Sequence, residues 1–158
     1  MKHKISIVEF ENHAKVGFYS IIIDNNVNSE LEEFIIKIQE HTDAPKIAHL
    51  LDIIGKKGAE ERYFRYEGKK SDNVCALPDH YLIKTDYRLY TLRYGESLLI
   101  FGNGDLKGTE TYQEDVYLNK CVIILQKVDE EIKRRIISGD IEISGKTILG
   151  ELDFTIYT

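Results

Sequence analysis

The residues whose types and spacing could do chemistry gather between Tyr87 and Tyr112, in the stretch YRLYTLRYGESLLIFGNGDLKGTETY. Arg88, Arg93 and Lys107 are fixed cations, Tyr112 carries a phenolic hydroxyl, and Lys84 lies just upstream. Such a set suits a site that holds an anion and stabilises negative charge as it develops. The run Tyr87 to Tyr94, a turn at Gly95-Glu96 and the apolar run Leu98 to Phe101 predict a β-hairpin. Alternation along its first strand puts Arg88, Tyr90 and Leu92 on one face and Leu89, Thr91 and Arg93 on the other. The two arginines therefore cannot serve one site from a flat strand. The segment Gly102-Asn103-Gly104-Asp105 reads as a glycine-containing loop between strand and helix, in preference to an anion-binding nest.

Other chemistries find little support. The sequence has no Walker loop, no dinucleotide-binding glycine fingerprint, no His-Glu-x-x-His and no nucleophile elbow. His3, His13, His41, His49 and His80 lack metal-ligand spacing and read as surface histidines, so no metal or other cofactor is expected. Cys75 and Cys121 sit in apolar patterns without CxxC spacing, which predicts small buried hydrophobes in a reducing, cytoplasmic setting. The acidic residues of the last helical pattern, Glu130 and Glu131, read as a solvated face. A formal charge of -6 argues against broad, charge-driven nucleic-acid binding and leaves room only for a local basic patch. No apolar run approaches the ~18 residues that a membrane span needs.

The 158 residues, 42% apolar and 30% charged, are ordinary for one soluble domain. Ile5 to Phe10 and Phe18 to Ile23 predict an N-terminal hairpin. Ser29-Glu30-Leu31-Glu32 has the capping-box spacing, opening a helix whose stripe is Leu31, Phe34, Ile35 and Ile38. Asp43-Ala44-Pro45 opens a second, with Ile47, Leu50, Leu51 and Ile54 buried and Gly55 as its end. Glu61 to Tyr66 fits a strand or an ordered loop, followed by a polar turn from Gly68 to Asn73. Val74 to Leu77 and Tyr81 to Lys84 are short apolar runs leading into the central hairpin. Leu118, Cys121, Val122, Leu125, Val128, Ile132 and Ile136 recur at helical steps, marking a long amphipathic helix ended by Ser138-Gly139. Ile141 to Ile156 predicts a C-terminal hairpin able to pair with the N-terminal one. The expected fold is α+β: an antiparallel sheet covered on one side by helices, two of them N-terminal and one long and C-terminal.

The order of these elements, joined to Leu77-Pro78-Asp79, Tyr81-Leu82-Ile83-Lys84, Tyr87-Arg88-Leu89-Tyr90, Lys107 and Tyr112, resembles the RelE/HigB-like family of bacterial toxins. The resemblance spans roughly residues 28–136 and leaves 1–27 and 140–158 as additional hairpins on a RelE-like core, within one domain. It implies a metal-independent endoribonuclease that cuts messenger RNA on the ribosome. Arg88 and Lys107 would stabilise the phosphorane, Tyr112 would stack on a base or move a proton, and Lys84 would act as acid or charge stabiliser. Arg93, Arg65 and Arg62 would be further RNA-binding cations. The implied partners are messenger RNA and a cognate antitoxin of the helix-turn-helix type, with no membrane. The sequence departs from the family where Asp105-Leu106-Lys107-Gly108 supplies one cation beside an acid instead of two adjacent cations. A second reading is a noncatalytic module of the same fold that binds a helix-turn-helix regulator.

Overall fold

A computed structural model describes residues 1–67, 72–108 and 115–158. In chain order the elements are strands β1 (Lys2–Asn12) and β2 (Gly17–Ile23), helices α1 (Glu30–Ile38) and α2 (Ala44–Lys57), and a 3₁₀ turn at Glu61–Tyr63. Strands β3 (Arg65–Tyr66), β4 (Val74–Leu77), β5 (Tyr87–Tyr94) and β6 (Leu98–Leu106) follow, then helix α3 (Val116–Ser138) and strands β7 (Ile141–Ser144), β8 (Thr147–Gly150) and β9 (Asp153–Tyr157). Seven strands form one sheet in the order β3-β4-β5-β6-β2-β1-β9, and β7 and β8 form a separate hairpin. Every neighbouring pair is antiparallel except β2 and β6, which run parallel. The fold is thus α+β, with three helices and a mostly antiparallel sheet among the described residues.

Helices cover both faces of the sheet, where one covered face was expected. On one face α1 and α2 bury Leu31, Phe34, Ile38, Ile47, Leu50 and Ile54 against Phe18, Leu89, Leu99 and Phe101. On the other, α3 buries Leu118, Val122, Leu125, Val128 and Ile132 against Ile21, Tyr90, Leu92 and Ile100, and the β7–β8 hairpin adds Ile141 and Ile148. Two cores on opposite sides make a central strand apolar throughout, and β2 (GFYSIII) is buried at six of its seven positions. In the sheet β2 lies between β6 and β1, so the N-terminal hairpin extends the β3–β6 strands on the β6 side. Strands precede the helices. At the C-terminus, β9 pairs with β1 while β7–β8 stands apart.

Local signals act as their chemistry dictates. Ser29 caps α1 and Glu32 closes the capping box, the Glu32 carboxylate accepting from the Ser29 amide at 3.0 Å. The Ser20 hydroxyl donates to the Phe101 carbonyl at 2.8 Å and accepts from the Leu31 amide at 3.1 Å, tying β2, β6 and α1 at one buried point. Helix α2 continues past Gly55 to Lys57 and is capped by Gly58. Helix α3 begins with the Asp115 carboxylate accepting from the Leu118 amide, and ends at Gly139 in the left-handed region, φ +85°. It is also pinned to the sheet by the buried Asp129, which accepts from Tyr94 Oη at 2.8 Å and Asn73 Nδ2 at 2.9 Å and pairs with Lys133 at 2.8 Å.

Two short segments differ from expectation. Tyr81 to Lys84 forms a turn and irregular chain, its start fixed by the Asp79 carboxylate accepting from the Tyr81 amide. Gly102 to Asp105 is not a loop: β6 runs on to Leu106, with a register shift opposite Leu89–Thr91. The glycine at 104 is what permits this, since a Cβ there would lie 1.7 Å from the Arg88 carbonyl oxygen. The expected turn at Gly68 to Asn73 falls largely outside the described residues.

Candidate anion-binding site

Sheet register assembles the candidate site. On β5, Tyr90 and Leu92 belong to the core under α3, so Arg88 lies on that face too. Ala76, on the same face, pairs with Tyr90 on one side and Arg65 on the other, so Arg65 joins the row. Glu67 follows two residues later, with its amide donating to the Val74 carbonyl at 3.2 Å. On β6, Asp105 pairs with Arg88, and Lys107 comes two residues on, its amide held by the Asp86 carbonyl at 2.7 Å. One corner of the α3 face therefore collects Arg65, Glu67, Arg88, Tyr90 and Lys107.

The electrostatics agree with this placement. Glu67 is 7% exposed, and Arg65 Nε meets its Oε1 at 3.0 Å. Burial raises the Glu67 carboxyl above its ordinary value, and the nearby charges of Arg65, Lys107 and Arg88 offset part of that rise. Arg88, 8% exposed, is pulled down by burial and by Arg65 and remains a cation. Its Nη1 donates to the Tyr87 carbonyl at 3.0 Å and the Thr85 carbonyl at 3.4 Å. Its Nε has no hydrogen-bond partner among the described residues, and neither has the hydroxyl of the fully buried Tyr90. Burial pushes the Tyr90 phenol well up, so it stays protonated and can donate. Arg65 and Lys107 are partly exposed and carry the cluster to the surface. The arrangement can hold an anion between cations, and it sets beside them a carboxylate made more basic by burial, able to accept a proton.

The remaining candidates lie elsewhere. Arg93 is on the opposite face, where its Nε donates to the Ala59 carbonyl at 2.8 Å and its guanidinium covers the Phe64 ring at 5.7 Å. Arg62 is exposed, stacked on Tyr63 at 4.6 Å and paired with Glu60. Lys84 is exposed in the segment before β5. Tyr112 lies outside the described residues. Sequence reasoning missed Glu67 and Tyr90. The spacing Arg65-x-Glu67 was the available signal, because residues two apart on a strand share a face.

No three acidic, histidine or cysteine side chains converge as metal ligands do among the described residues. Cys75 and Cys121 are buried and unpaired, with both thiols pushed up to about 12 by burial. His3 is buried rather than superficial, its Nδ1 lying 2.9 Å from Asp24. No helix among the described residues is long and apolar enough to cross a membrane. Compared with known proteins, the chain matches no family model, no curated protein and no solved structure.

Proposed function

We propose that the protein is an endoribonuclease of the toxin type, cutting messenger RNA on the ribosome at the Arg65–Glu67–Arg88–Lys107 corner without a metal ion. The observation that carries the reading is the convergence of three cations on a buried carboxylate with a raised pKa. In the proposed reaction a ribose 2′-hydroxyl attacks the adjacent phosphorus while Glu67 takes its proton. The P–O5′ bond breaks, Lys107 protonates the leaving oxygen, and a 2′,3′-cyclic phosphate and a 5′-hydroxyl result. Arg65 and Arg88 hold the non-bridging oxygens, whose charge grows as the phosphorane forms. The test is incubation of messenger RNA with the protein and ribosomes in excess EDTA. Cleavage that leaves a cyclic phosphate, and that stops when the scissile ribose lacks its 2′-hydroxyl, supports the reading; uncut RNA and unchecked cell growth on expression reject it.

A second reading, a noncatalytic module that binds a helix-turn-helix regulator, is favoured by a separate observation. An apolar groove of about 360 Å³ runs between β1 and the α1–α2 pair, lined by Phe10, Phe34, Ile35, Ile38, Ile47 and Leu51. A groove of that kind accepts the apolar face of an amphipathic helix. Under this reading Ile35→Asp abolishes regulator binding, and Arg88→Ala leaves it intact.

A further inference from the structure

The seven-stranded sheet ends very differently at its two edges. On one side β3 is two residues long. On the other, β9 presents five residues, Asp-Phe-Thr-Ile-Tyr, and no described strand pairs with its outer side. Natural edges are blunted by lysine, proline, a bulge or shortness, because a row of unpaired backbone groups is a template for another strand. β9 has no lysine or proline, and its register with β1 is unbroken from Lys2↔Tyr157 to Ser6↔Asp153. Four of its five residues are aromatic or β-branched, the types that favour strand pairing.

The backbone groups on that edge can be identified. The Ile7 amide donates to the Leu152 carbonyl at 2.8 Å, and the Thr158 amide to the Met1 carbonyl at 2.9 Å. In an antiparallel ladder, bonded and non-bonded pairs alternate, so between these anchors Phe154 and Ile156 bond inward to β1. The N–H and C=O groups of Asp153, Thr155 and Tyr157 therefore point outward.

We propose that this edge pairs with the same edge of a second copy of the chain, joining two sheets about a twofold axis at Thr155. An antiparallel two-fold pairing sets Thr155 opposite its counterpart and Asp153 opposite Tyr157, so each outward N–H meets an outward C=O. On the α3 face, Phe154 comes opposite Ile156 of the copy at both ends, an aromatic–β-branched pair that continues the core. On the other face Thr155 meets Thr155, also a favourable cross-strand pair. A second copy is the occupant this edge fits, because both its hydrogen-bonding rows and its side-chain rows are complementary to themselves.

Thr155→Pro tests the proposal, since its amide points outward and proline in an edge strand is tolerated when the missing N–H faces away from the sheet. Sedimentation from low to high micromolar concentration should give twice the 18.3 kDa chain mass for the wild type. The variant should give the single mass, with unchanged circular dichroism and the melting temperature that the wild type shows when diluted to monomer. Amide exchange supplies the second measurement: Asp153, Thr155 and Tyr157 should be protected in the concentrated wild type and exchange freely on dilution. A wild type that stays at the single mass throughout overturns the proposal, as does a dimer that persists in the folded Thr155→Pro variant.

Discussion

Replacing Arg88 by methionine keeps an unbranched apolar stem and deletes the guanidinium at the centre of the proposed site. The stability cost follows from its contacts. The 3.0 Å bond to the Tyr87 carbonyl is charge-assisted and worth roughly 1.5–3 kcal/mol. The 3.4 Å contact with Thr85 is too long to add much. Against this loss, the variant no longer buries a cation or holds one near Arg65. The net destabilisation is expected at about 1–2 kcal/mol, a fall in melting temperature of roughly 2–8 °C for a chain of this size. With native stability of roughly 5–15 kcal/mol, such a variant remains folded at 25 °C. The catalytic cost is larger, because removing a preorganised donor aimed at developing charge typically loses about 100- to 1000-fold in rate, or roughly 2.7–4 kcal/mol. Single-turnover cleavage of messenger RNA with ribosomes, run beside thermal melts, separates the two effects. A folded Arg88→Met protein that cleaves at the wild-type rate refutes the placement of the scissile phosphate. A melting point lowered by tens of degrees refutes the stability argument.

Glu67→Gln should abolish cleavage yet protect the fold. Burial raises the Glu67 carboxyl in the folded chain above its ordinary 4.5, so its contribution to stability is complete below that value and is lost as pH rises through the folded pKa. Melts from pH 4 to 8 should therefore show the glutamine variant gaining on the wild type as pH rises; a variant that falls behind at neutral pH contradicts this. Asp129→Ala strands Tyr94 and Asn73 in the interior and should cost about 2–5 kcal/mol, read as a lower urea midpoint at unchanged slope. Gly104→Ala forces β5 and β6 apart at Arg88 and should cost about 1–3 kcal/mol or more, while lowering RNA affinity in filter binding. A neutral Gly104→Ala would mean that the strands have room at that point.

The sequence by itself determined whatever depends on neighbours along the chain. The Ser29–Glu32 capping box, the stripe of α3 from Leu118 to Ile132 and the alternation that splits Arg88 from Arg93 are short-range patterns, and each appears where its spacing puts it, whereas Ile136 at the end of the stripe is exposed. Tertiary structure decided the rest. The role of β2 depended on what covers its two faces, and a run such as Gly17–Ile23 carries no record of the parallel partner Leu98–Phe101 that lies about eighty residues away. Gly102 to Asp105 read as a loop because glycine and asparagine favour turns locally. Pairing with β5 overrode that preference, and Gly104 turned out to serve a close approach of backbones instead of a turn. The candidate site shows the same division. Arg88 and Lys107 stand out from sequence as cations on and after a patterned hairpin. Their meeting with Arg65 and Glu67 is created by the ladder from β3 to β6, because the charge that acts on a carboxylate is set by distance in space, which the order of residues does not encode.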